Sequence, residues 1–211
     1  MRKLLIALGV LFVLGLIFVG VAVANYNGLV QLDQAVDAQW AQVENVYQRR
    51  ADLVPNLVST VAGAANFEKS TLTEVTAARA SVGSVKLPPG GAPTDPAQLA
   101  AFEQAQGQLG SALSRLLVVA ERYPDLKATA NFQTLQAQLE GAENRIAVER
   151  GRYNEVARGY NTKIRQFPAV FFAAALGFDG KAYFSAKPGA EDAPKVEFDF
   201  DRQPQTSATG S

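Results

Sequence analysis

The chain has 211 residues, 48% hydrophobic and 19% charged, with 20 Lys+Arg against 20 Asp+Glu, which fits one ordinary folded domain and excludes a disordered or nucleic-acid-coating chain. Cysteine and histidine are both absent, so disulfides, thiolate nucleophiles, Cys/His zinc sites and every histidine-dependent triad are excluded together. No glycine-rich phosphate loop, GxSxG elbow or DxDxDG calcium loop occurs, so neither a cofactor nor a nucleic-acid partner is expected and catalysis is the disfavoured class.

Arg2 and Lys3 precede Leu4 to Ala24, an uncharged apolar stretch that as a helix reaches about 31 Å, enough to cross a bilayer core. Ala22-Val23-Ala24 has the form of a signal-peptidase site, but the apolar run exceeds the roughly 7 to 15 residues of a signal peptide. It therefore reads as a retained single-pass anchor. Two basic residues precede the span, whereas Asp33, Asp37 and Glu44 come before the first basic residue after it, Arg49. Positive-inside then places the N-terminus in the cytoplasm and the remainder outside it.

From Tyr26 onward Leu29, Leu32, Val36, Trp40, Val43, Tyr47, Val54, Val58 and Val61 recur at spacings that hold one stripe on a 3.6-residue helix. Helix is expected over 26–66, then over 68–83 with Leu72, Val75 and Val82 inward. The proline- and glycine-rich stretch 85–96 breaks the pattern and reads as a solvent loop. Asp95-Pro96-Ala97-Gln98 has the form of an N-cap, an N1 proline and a capping-box partner, starting a third helix that stops at Tyr123-Pro124. A fourth follows the stripe Phe132, Leu135, Leu139, Ala142, Ile146, Tyr153, Ala157, Tyr160 and Ile164 to Phe167-Pro168. The predicted class is all-α: an N-terminal transmembrane helix (1–24), then a long antiparallel up-and-down four-helix bundle (25–201) with a short extended C-terminal segment (194–200), and a disordered tail (202–211). The apolar run 169–178 is too short to span a bilayer and reads as a plug for the open end of the bundle in preference to a segment docked at the bilayer interface.

Several charges fall within the apolar stripes. At 100° per residue Arg50 lies beside Leu32 and Leu57, Arg150 sits centrally in the stripe of the fourth helix with Glu143 about 20° away, and Arg79 aligns with Leu72 and Val75. Heights of about 36 Å for Arg50, 42 Å for Arg79, 40 Å for Glu143 and 30 Å for Arg150 above the membrane put all four near one level. A buried unpaired charge costs several kcal/mol, so these four either pair together or reach water; a polar layer inside the bundle is expected, with Glu143 accepting from Arg50 and Arg79 and with Arg150 one to two turns below. A structural ion network is the first reading and an anion site, with three arginines against one evident carboxylate, the second. A general-acid role for Glu143 has no specific support. Pro55 removes the hydrogen bond to the carbonyl of residue 51 and is expected to kink the helix. Arg49, Asp52 and Asn56 point outward and form a candidate partner surface.

The blocks YNGLVQLDQAV (26–36), QRRADLVPNLVSTV (48–61), LTEVTAARA (72–80), ERYPDLKATANFQTLQAQLEGAENRIAVERGRYNEV (121–156), a second YN at 160–161, FDGKAYF (178–184) and PKVEFDF (194–200) resemble, in order and spacing, the LemA family of bacterial membrane-anchored proteins. Where that family often carries a His-Glu pair after the first helix, this chain has Phe67-Glu68, so no proton-linked role carries over. The resemblance implies a tethered antiparallel helical bundle without established enzymatic activity, and an accessory role beside a membrane protein such as an M48-type peptidase or at a magnetosome membrane. The expected function is a non-enzymatic scaffold that presents helix surfaces to a membrane partner or to a second copy; the alternative is an anion- or lipid-headgroup-binding sensor built on the arginine layer.

Overall fold

The computed structural model describes residues 2–64, 67–87 and 90–185, and every regular element among them is helical. In chain order these are α1 (Arg2–Ala62), α2 (Lys69–Ser84), α3 (Pro96–Ala120), α4 (Pro124–Lys127) and α5 (Ala130–Arg165). The segment 194–200, the domain end at 201 and the tail 202–211 lie outside the described residues.

α1 joins the apolar span to the first amphipathic helix without a break. The junction contains no proline, and Asn25 donates its side-chain amide to the Val21 carbonyl at 2.8 Å, within the helix, rather than capping a new one. The result is a rod about 90 Å long, of which the first third is exposed on all sides. It ends at Ala62, not at residue 66, in a turn in which Ala64 N–H donates to the Val61 carbonyl at 3.0 Å. A fifth helix was also not anticipated. Pro124 ends the preceding stripe but occupies the first turn of α4, where its missing N–H costs nothing and its fixed φ suits a helix start.

The caps follow from the sequence. Asp95 accepts from Ala97 N–H at 2.8 Å with Pro96 as the first residue of α3, and Thr129 Oγ accepts from Phe132 N–H to start α5. α5 lies along α1 with contacts in reversed order, Trp40 meeting Tyr153 and Arg50 meeting Glu143. α2 lies along α3 in the same reversed sense, held at the surface by Glu68–Arg122 at 2.7 Å and Glu74–Arg115 at 2.8 Å. α3 meets α1 through Phe102, whose ring packs edge-on against Trp40 and Tyr47.

Two apolar clusters result. The one nearer the span joins Leu29, Val36, Trp40, Val43 and Tyr47 to Phe102, Ile146, Tyr153 and Tyr160; the far one joins Val54, Leu57 and Val61 to Val75, Leu109, Leu116, Phe132 and Leu139. The loop before α3 is not wholly in solvent as expected. Ala92 and Pro93 are buried, because the Asp37 carboxylate accepts from Ala92 N–H and the Pro93 carbonyl accepts from Ala182 N–H, both at 2.9 Å. The Ala92 N–H and the Pro93 carbonyl thus find partners inside the fold.

After α5 the chain makes two 3₁₀ turns, Ala169–Phe171 and Ala174–Leu176, reverses at Gly177 with φ 81°, and returns along α5 as an extended strap, residues 178–185. Gly177 suits that reversal because a side chain at this φ would clash with its own backbone.

Candidate functional site

The polar layer sits where the two apolar clusters meet. On α1 Arg50 follows Tyr47 of the near cluster and precedes Val54 of the far one; on α3 Gln106 lies between Phe102 and Leu109, and on α5 Glu143 between Leu139 and Ile146. The structure brings Arg50 and Glu143 together, with Nη1 donating to Oε1 at 2.5 Å. Nη2 donates to the Gln106 backbone carbonyl at 3.1 Å and also to its side-chain oxygen. The Tyr47 ring lies 5.3 Å from the guanidinium carbon, adding a cation–π contact.

The layer is not sealed as expected. Arg50 is buried at 4% side-chain exposure but Glu143 is 47% exposed. The helical wheel gave the direction of Glu143 correctly, but what covers it depends on the facing helix. There α3 carries Gly107 and Gly110, and a Cβ at Gly107 would meet nothing within 4 Å. Among the described residues Glu143 thus stays half in water.

Arg150 has a partner that the sequence reading missed. It donates to Glu103 Oε1 and, at 3.0 Å, to the Ser185 carbonyl of the strap, with its guanidinium 4.6 Å from the Phe184 ring centre. Glu103 and Gln106 are three residues apart on α3, the spacing that puts two side chains on one face; that pair was the available signal. Burial pushes the Glu103 carboxyl above its ordinary value, outweighing the attraction of Arg150 and the backbone N–H of Ser185. An acid whose folded pKa lies above its unfolded one holds its proton longer in the folded state. Its contribution to stability is therefore lost as pH rises from about 4.5 through the folded value. Glu103→Gln should remove that slope, seen as a flatter dependence of the urea midpoint on pH just above 4.5.

Arg79 does not join the layer and is exposed. Its Nε donates at 3.1 Å to the Ala51 carbonyl, the acceptor that Pro55, inside α1, leaves without an i+4 N–H. The arginine of α2 thus serves the backbone defect that the proline of α1 creates. Arg79→Ala should cost about 1 kcal/mol, and in a Pro55→Ala background, where residue 55 regains its N–H, it should cost clearly less; a double-mutant cycle by urea unfolding reads the coupling.

Arg49, Asp52 and Asn56 are all exposed on the outer side of α1, with Asp52 accepting from the Gln48 amide at 2.8 Å. The inner side of the same stretch opens onto a cleft of about 1550 Å³ between α3 and α5. Its floor is Tyr47 and Arg50; Gly107, Gly110, Ser111 and Ser114 form one wall, and Glu143, Ala147 and Gly151 lie along the other.

The strap was legible only as a block of family resemblance. Tyr153 and Tyr160 donate their hydroxyls to the carbonyls of Ala182 (2.9 Å) and Asp179 (3.0 Å). Asn154 and Asn161 each grip one strap residue from both sides, accepting from the N–H and donating to the carbonyl of Phe184 and Lys181 respectively, at 2.8 to 2.9 Å. Burial pushes both tyrosine hydroxyls far above their ordinary pKa, with Asp37 adding to it at both. The signal that could have shown the arrangement is the pair of Tyr-Asn doublets seven residues apart, two helical turns on one face. The strap in turn reaches α1, because Lys181 Nζ lies 2.9 Å from Asp33 and 3.3 Å from Asp37.

The model of the LemA family matches residues 39–198, which include every charged residue of this layer. Magnetosome protein MamQ 2 of Paramagnetospirillum magneticum is 30% identical over 209 residues, 90% of this chain and 75% of that protein. Magnetosome protein MamQ of Magnetospirillum gryphiswaldense is 29% identical over 212 residues, covering 92% and 76%. Protein LemA of Metamycoplasma hominis is 25% identical over 170 residues, covering 81% and 73%.

Proposed function

Because the chain belongs to the LemA family, we propose that it is a non-enzymatic membrane-tethered scaffold: an up-and-down bundle whose cleft between α3 and α5 receives a helix from a membrane partner or from a second copy. In this reading residues 1–24 anchor the protein with the N-terminus inside, and residues 25–201 stand outside the cytoplasm. The length and apolarity of the first part of α1 and the magnetosome proteins among the relatives support a membrane-associated role. An M48-type peptidase is a partner of the expected kind.

The observation that carries the proposal is the cleft itself. A helix about 10 Å across occupies roughly 120 Å³ per residue, so the space corresponds to between about three and four turns. Among the described residues a Cβ at Gly107 meets nothing, yet a glycine inside a helix costs about 0.5–1 kcal/mol relative to alanine. Gly107→Ala should therefore raise the unfolding free energy by that amount, read by urea titration. Close approach of another helix is a use for bare backbone at that position. Arg50 is neutralised by Glu143 and Arg150 by Glu103, which favours this reading over an anion sensor.

A photo-crosslinker at Ser111, on the cleft wall, and another at Asn56, on the outer trio, would be compared in native membranes. An adduct from Ser111 that disappears in Gly107→Trp is the expected result. Adducts from Asn56 alone would move the partner surface to Arg49, Asp52 and Asn56, and no adduct from either position overturns the scaffold.

A further inference from the structure

The two ends of the helical body differ in chemistry. At the end far from the span Glu121, Arg122, Asp125 and Lys127 are exposed, an ordinary hydrated surface. At the near end the 3₁₀ turns put Ala169 and Ala173 into the core with Phe172 packed against it, and leave Phe167, Val170, Phe171 and Leu176 facing out. Phe167 is 79% and Phe171 76% exposed, their rings 5.8 Å apart, with Val170 and Leu176 half-exposed beside them. A contiguous apolar tip of this kind on a water-facing surface calls for a cover.

Its position says what the cover is. Phe178, which closes the segment, packs edge-on against Tyr26 at 5.6 Å, and Tyr26 is two residues past Ala24, where the uncharged apolar stretch ends. The tip thus stands at the level at which α1 leaves its apolar section and continues that exposed surface sideways. Lys163 and Arg165 occupy the last turn of α5 immediately before it, placing cations where anionic headgroups lie. Aromatic rings with flanking basic residues are the composition that the membrane–water interface selects.

We propose that residues 167–176 insert Phe167, Val170, Phe171 and Leu176 into the interfacial layer of the leaflet from which α1 emerges, a second membrane contact beside the span. A single-span anchor leaves the body free to tilt and rotate. Two contacts fix both, and with them the direction in which the cleft faces along the membrane. The occupant is lipid; the tip does not depend on what the cleft binds.

The chain contains no cysteine, so single labels test this in the full-length protein, reconstituted in phosphatidylethanolamine–phosphatidylglycerol vesicles. A polarity-sensitive fluorophore is attached at Phe171→Cys, at the far-end control Asp125→Cys and at Phe12→Cys within the span. Position 171 is exposed, so the substitution removes no core contact; Val170→Cys provides a second reading of the same tip. The expected result is quenching of position 171 by lipids carrying a shallow spin label, with iodide quenching at least about fivefold weaker than at 125. If iodide reaches 171 and 170 as readily as 125 while position 12 is embedded, the tip is in water and the inference is overturned. A label at position 12 that is itself open to iodide overturns the anchor together with the tip.

Discussion

Replacing Arg50 by alanine is expected to cost about 3–5 kcal/mol of folding free energy, measured by urea unfolding in detergent micelles. The side chain is 4% exposed and connects three helices, bonding Glu143 on α5 and both the backbone and side-chain oxygens of Gln106 on α3. Glu143, half in water, rehydrates when its partner is removed; Gln106, 4% exposed, does not. The cost therefore falls on Gln106 and on the void left by the arginine stem, and not on the carboxylate. Glu143→Ala gives the converse, a buried guanidinium short of its carboxylate, at about 1.5–3 kcal/mol. Arg50→Met combined with Gln106→Leu refills the volume and removes both unsatisfied groups, so it should return close to the parent stability. If that double variant folds normally yet loses the adduct from Ser111, the layer serves recognition rather than packing. A change below about 0.5 kcal/mol in Arg50→Ala would mean that the layer does not hold the helices together.

Periodicity carries the side of a helix on which a residue lies, and not what covers it there. Apolar spacing located the helices because burial and helix period together determine which residues lie on one side. It placed Arg50 inward and Arg49, Asp52 and Asn56 outward for the same reason. It missed Gln106 and Glu103, because a polar residue beside a stripe has the same periodicity whether it is solvated or bonded across the core. It overstated the burial of Glu143 because exposure there is decided by Gly107 and Gly110 on another helix. Arg79 was given the wrong partner, since a carbonyl released by Pro55 has no side-chain identity to read. The missed fifth helix shows the double meaning of a proline, which stops one helix and suits the first turn of the next. The strap was the least legible part. Its eight residues have no period of their own, and their conformation is fixed by Tyr and Asn side chains of α5 rather than by a backbone ladder.

That dependence makes the strap the second place where a single substitution should have a large effect. Asn161 is 6% exposed and supplies both a donor and an acceptor to the backbone of Lys181, so Asn161→Ala leaves one half-buried N–H and one half-buried carbonyl without that partner, at about 2–3 kcal/mol. Asn161→Asp keeps the acceptor but replaces the donor by a charge facing the Lys181 carbonyl, and should be no better than alanine. Asn154, less buried, should cost about half as much. The loss is local before it is global: Lys181, once its backbone is released, also withdraws its ammonium from Asp33 and Asp37, leaving two carboxylates on α1 one turn apart. Hydrogen exchange distinguishes this from general softening. In Asn161→Ala the amides of Lys181, Ala182 and Phe184 should lose protection together while those of α2 and the upper part of α3 keep theirs. Uniform loss through all the helices would instead make the strap part of the core's folding unit. Unchanged exchange at Lys181 would mean that the tyrosine hydroxyls and the lysine hold it without the asparagines.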